Sequence, residues 1–151
     1  MEPELVGVLT TFRIIGDDFD PNLFTLALNL APSCQWQKGD NRPPMSAGCN
    51  SGHRSPVGAC WTLSTGAHLS WDAGLQLAQV VGLLQGKEDV LRQSGRDASV
   101  HYLLEIEVRI PEGASPGFVI DKRALAFARA IDAEIIVRVR VDEGFEVRAL
   151  E

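Results

Sequence analysis

Thr10-Thr11-Phe12-Arg13-Ile14-Ile15-Gly16-Asp17-Asp18-Phe19-Asp20-Pro21 passes from a strand through a tight acidic turn into a helix. The residues upstream, from Leu5, are rich in Val, Leu, Ile, Thr and Phe, the composition of a β-strand. Val6, Val8, Thr10, Phe12 and Ile14 alternate with Leu5, Leu9 and Ile15, so both faces are largely apolar. That pattern belongs to a central strand covered on both sides. Asp20 then stands where an N-cap accepts backbone N–H groups, with Pro21 at the first helical position, where a missing N–H is harmless. The triple Asp17, Asp18 and Asp20 also resembles a cation site, but the ligand spacing of a calcium loop is absent. Turn and cap chemistry is the better reading.

Outward from this corner the chain alternates strands and helices. The first helix spans Asn22 to Leu30, with Leu23, Leu26, Ala27 and Leu30 as its apolar face. Short strands follow at Cys34–Gln37 and Cys60–Ser64. Between them, residues 38–58 are rich in Gly, Pro, Ser and Asn and read as a long surface loop. A second helix, near Asp72 to Gln85, carries the stripe Leu77, Val80, Val81 and Leu84; Gly86 breaks or kinks it, and Lys87 to Ser94 continue for a further turn or two, with Gly95 as the stop. Ser99 to Ile110 alternates cleanly as a strand with one core face and one half-wet face. Phe118–Ile120 reads as a short strand. The helix Lys122–Ile131 buries Leu125, Phe127, Ala128 and Ile131, and Ile135–Val141 forms a last half-wet strand. Residues 145–151 are a tail or an edge strand.

Strands in adjacent pairs, each pair followed by a helix, predict an α+β two-layer sandwich. The expectation is a mostly antiparallel sheet of about six strands with three helices on one face, in a single domain over residues 1–151. On the open face Glu105 and Glu107 are expected to lie across from Arg138 and Arg140, a candidate partner-binding surface.

Composition bounds the function. The chain has 151 residues and a net charge of −6, which disfavours nucleic acid and anionic membrane as partners. No apolar run approaches the roughly 20 residues of a bilayer-spanning helix. Three cysteines, and an acidic start without a secretory pattern, predict a cytoplasmic protein. Phosphate-loop and dinucleotide motifs are absent, and no cofactor is expected. Cys34, Cys49, His53 and Cys60 form the one metal-like set, with Cys49, His53 and Cys60 its best members. Their spacing is looser than paired zinc ligands require, and buried cysteines serve as small hydrophobes more often than as ligands. Cys49 with His53, His68 or His101 would be the thiol–imidazole candidates for nucleophilic catalysis. Trp36, Trp61 and Trp71 are read as core and core-edge residues.

Several motifs, in order, resemble the bacterial family called domain of unknown function 4279. They are the opening Thr11–Pro21 segment, Trp36-Gln37-Lys38-Gly39-Asp40, Ala59-Cys60-Trp61-Thr62-Leu63-Ser64-Thr65 and Gly117-Phe118-Val119-Ile120. The departures are the extra Cys and His between Asp40 and Gly58 and the arginines of the last strand. The resemblance implies the fold and supplies no catalytic residues. Small bacterial families of this kind often resemble immunity proteins, which bind and block a toxin. The expected function is a non-enzymatic protein-binding module, immunity-like, with a basic toxin-like partner and a homodimer as a further possibility. The alternative is a small metal-dependent or Cys/His enzyme that uses residues 49–60.

Overall fold

The computed structural model describes residues 6–39, 58–70, 72–113 and 117–142. Its elements are β1 (Val6–Gly16), α1 (Pro21–Leu28), β2 (Cys34–Trp36), β3 (Ala59–Ser70), α2 (Ala73–Leu84), α3 (Glu88–Ala98), β4 (His101–Pro111), α4 (Lys122–Ile131) and β5 (Glu134–Asp142). The class is α+β. The sheet runs β2-β3-β1-β4-β5, with β1 at its centre.

Three details differ from expectation. Among the described residues the sheet has five strands, because Phe118–Ile120 joins none of them. The helices number four, since Gly86 takes φ +86° and separates α2 from α3. The sheet is mixed: β1 pairs antiparallel with β3 and β4, while β5 runs parallel to β4. Helix α4 supplies the crossover that a parallel pair requires.

The opening corner is built as its residues dictate. Asp20 caps α1, with Asn22 N–H donating to Asp20 Oδ1 at 3.0 Å and Pro21 in the first turn. Asp72 and Asp121 cap α2 and α4 in the same way. Gly16 is a contact point rather than a left-handed turn: a Cβ there would stand 2.9 Å from the Phe19 ring. Gly58, at φ +150°, lets the start of β3 close on this corner, where a Cβ would meet the Gly16 carbonyl oxygen at 2.5 Å.

One face of the sheet packs Val6, Val8, Phe12, Ile14, Trp61, Leu63, Tyr102, Leu104, Ile106 and Val108 against the helices in one core. The Leu77, Val80, Val81, Leu84 stripe of α2 is fully inside it. Helix α1 turns the other way from expectation: Pro21, Phe24 and Leu28 are buried, while Leu23 and Leu26 are exposed. The helix is apolar all round, so its periodicity defines two stripes. The aromatic one fits, with the Phe24 ring edge-on to Phe19 and Tyr102. In α4, Ala124 takes the inner position expected of Leu125, which is exposed. Gly95 lies inside α3 rather than ending it; a Cβ there would meet Tyr102 Oη at 2.7 Å, and Ser99 at φ 54° closes the helix. Tyr102 Oη donates to the Leu91 carbonyl at 2.6 Å and ties β4 to α3.

Strand β3 carries a bulge. Thr65 and Gly66 together oppose Thr10 of β1, since Thr11 pairs with Ser64 and Leu9 with Ala67. Gly66 takes φ +86°; Ser64 Oγ accepts from Gly66 N–H and donates to the Thr10 carbonyl. The extra residue reverses which side chains face the helices. Trp61 and Leu63 face them before the bulge, and His68 does so after it, opposite Val8.

Candidate functional site

The opposite face of the sheet has no helix on it among the described residues. Arg13 in β1, Glu105, Glu107 and Arg109 in β4, and Arg138 and Arg140 in β5 share it by strand parity and register. Arg13 Nε donates to Glu105 Oε2 at 3.0 Å, with both side chains nearly sealed from solvent, at 7 % and 6 % exposure. Arg138 Nε donates to the other oxygen, Oε1, at 3.3 Å. One carboxylate therefore bridges guanidinium groups from the two strands flanking β4. Glu107 is as deeply placed, and Arg140 Nε stands 3.0 Å from its Oε1. That approach is not aligned for a hydrogen bond, and Arg109 Nη2 is 3.7 Å away, so Glu107 Oε1 is buried without a donor.

The β4–β5 ion pairs are offset along the strands. By backbone register Glu107 lies opposite Arg138, yet Glu105 pairs with Arg138 and Glu107 with Arg140. The long arginine side chains reach diagonally, as neighbouring strands allow. Energetically the two kinds of pair differ. Arg138 and Arg140 are half-exposed, so each of their pairs contributes about 0–1 kcal/mol. The Arg13–Glu105 pair is buried; its attraction roughly offsets the desolvation of two charges, and removing Glu105 takes from buried Arg13 the carboxylate it donates to. Arg13 was the missed member of this group. Its signal was plain: a charged residue inside a strand apolar on both faces needs a buried partner.

Cys60 lies on the same face, in register with Ile15, which pairs on its other side with His101. Burial pushes the Cys60 thiol up to about 12, an effect that the charge and hydrogen bond of Arg13 only partly oppose. The thiol is therefore protonated at neutral pH and a poor nucleophile. His101 is two strands away, about 10 Å by strand spacing, beyond hydrogen-bond reach. His68 faces the opposite side, its Nε2 2.7 Å from the Thr65 carbonyl. Cys34 is engaged in a disulfide, and Cys60 is free. Cys49 and His53 lie outside the described residues, as do residues 145–151, all but the ends of the 38–58 segment, and Trp71. No metal-ligating cluster occurs among the described residues. Asp17 is exposed and paired with Lys38 at 3.7 Å, consistent with turn chemistry. Trp61 is wholly buried, its Nε1 donating to Thr25 Oγ1 at 3.0 Å.

The fold and this face define a small α+β domain with a four-helix layer on one side of its sheet and a charged network on the other. The chain belongs to the family described as Domain of unknown function (DUF4279), whose model matches residues 6–142. No curated protein and no solved structure matches it. Among the described residues no helix is long and apolar enough to cross a membrane.

Proposed function

We propose that the chain is a non-enzymatic protein-binding module of the immunity type, which recognises its partner through the helix-free face of the sheet. The observation that carries the reading is the state of Arg138 and Arg140. Each uses Nε toward a buried glutamate, and their Nη groups donate no hydrogen bond among the described residues. Guanidinium groups fixed at one end by a carboxylate are pre-organised to grip a second acceptor with the other. Arginines in a desolvated setting are frequent hot spots of protein recognition. The net charge of −6 steers a basic, toxin-like partner toward the molecule at long range, while Arg138 and Arg140 engage a carboxylate of that partner on contact.

The test is co-expression with the product of a neighbouring toxin-like gene, followed by affinity measurement. The double charge reversal Arg138→Glu/Arg140→Glu should weaken the complex by at least about a hundredfold. Leu26→Ser, on the helix side, should leave it unchanged. Absence of a complex, or wild-type affinity in the double variant, would sink the reading. The metal-dependent or Cys/His enzyme alternative depends on Cys49, His53 and Cys60, and the protonated, buried thiol of Cys60 gives it no support.

A further inference from the structure

Strand β5 closes the described sheet at an edge nine residues long, and its side chains are patterned in an unusual way. On the helix side Val137, Val139 and Val141 are 40 %, 58 % and 57 % exposed. On the other side the order is Glu134, Ile136, Arg138 and Arg140. Edge strands offer unpaired backbone groups to any strand that can match them. No proline interrupts this one.

We infer that β5 pairs antiparallel with β5 of a second copy, around a two-fold axis through Val137, making one continuous sheet across the dimer. A two-fold perpendicular to the sheet keeps each residue on its own face, so only like-parity positions can oppose one another. The charges then select among the registers. Centred on Arg138, that residue opposes itself and Glu134 meets Asp142, placing like charges together. Centred on Val139, Arg138 opposes Arg140 twice. Centred on Val137, Glu134 opposes Arg140 twice, Ile136 opposes Arg138, and Ile135, Val137 and Val139 form an apolar row. A register centred on Ile136 also pairs opposite charges, Glu134 with Arg138, but aligns a shorter stretch of strand. The Val137 register is the longest in which no like charges of the two β5 strands are opposed.

The side chains are ready for it. Glu134 is exposed and has no ion pair among the described residues. Arg140 holds Glu107 through Nε, and its fork of five N–H donors leaves the Nη groups for Glu134 of the second copy. The exposed valines become cross-strand apolar pairs, the unit of sheet stabilisation.

Light scattering after size exclusion on the full chain should give the dimer mass. Glu134→Arg places arginine opposite arginine at two symmetric positions and should weaken the dimer about tenfold or more. Glu134→Arg/Arg140→Glu restores opposite charges and should restore the mass. Because Arg140→Glu also faces Glu107, an independent readout is needed. Val137→Cys sits on the axis, within disulfide range of its own copy, and should oxidise to a covalent dimer. Val141→Cys lies opposite Ala133 in this register and should not. A monomeric wild type, a dimer indifferent to Glu134→Arg, or equal cross-linking at 137 and 141 overturns the inference. Arg140 enters both readings, so Glu134→Arg is the variant that separates them: it tests the dimer while leaving Arg138 and Arg140 in place for a partner.

Discussion

Replacing Arg13 with methionine tests the charged face where it is most deeply buried. Methionine keeps most of the aliphatic stem and removes the guanidinium, so lost packing is a small part of the effect. Glu105 then loses the donor 3.0 Å from Oε2 and retains Arg138 at 3.3 Å on Oε1, from a side chain that is 40 % exposed. Breaking a buried ion pair from one side destabilises by about 3–5 kcal/mol. For a chain of this length each kcal/mol moves Tm by about 2–4 °C, so the melt should fall by about 6–20 °C. Glu105→Leu, which leaves Arg13 buried without its carboxylate, should be of similar size. The double variant Arg13→Met/Glu105→Leu removes both charges and should be far more stable than the sum of the singles predicts. Urea unfolding followed by circular dichroism gives all three values. A loss below about 1 kcal/mol for Arg13→Met, or additivity in the cycle, would refute the view that these charges depend on each other.

Other substitutions test the frame around the site. Asp20→Ala should lower stability by about 0.5–2 kcal/mol by removing the bond to Asn22 N–H, read by thermal melts. Gly74→Ala would set a Cβ 2.3 Å from the Val119 carbonyl oxygen, so a loss of about 1–3 kcal/mol is expected in the same assay. Tyr102→Phe should cost about 1 kcal/mol through the lost bond to the Leu91 carbonyl, measured by urea unfolding. Cys60 should resist a thiol reagent in the folded protein and react on unfolding. Its folded thiol holds its proton up to about pH 12, whereas the unfolded thiol ionises near 9. The folded state then binds more protons in that window, so its contribution to stability is complete below pH 9 and declines as pH rises from 9 toward 12.

The sequence by itself determined the local structure. Asp20 with Pro21, Asp72 and Asp121 mark helix starts because capping is satisfied within three or four residues. The alternation of β4, the stripe of α2 and the central place of β1 follow from side-chain period alone. Motif order also pointed to the family. What only the tertiary structure decided depends on contacts between distant residues. The bulge at Thr65–Gly66 reverses the parity of β3, so its alternation reads as a strand ending at Ser64 when it runs to Ser70. Helix α1 has apolar residues on every side, and the aromatic fit of Phe24 selected the buried stripe. The direction of β5 was set by the path of α4 over the sheet. Arg13 and Glu105, 92 positions apart, are joined only because β1 and β4 lie side by side; each was visible in the sequence as a charge in a strand, and their pairing was not.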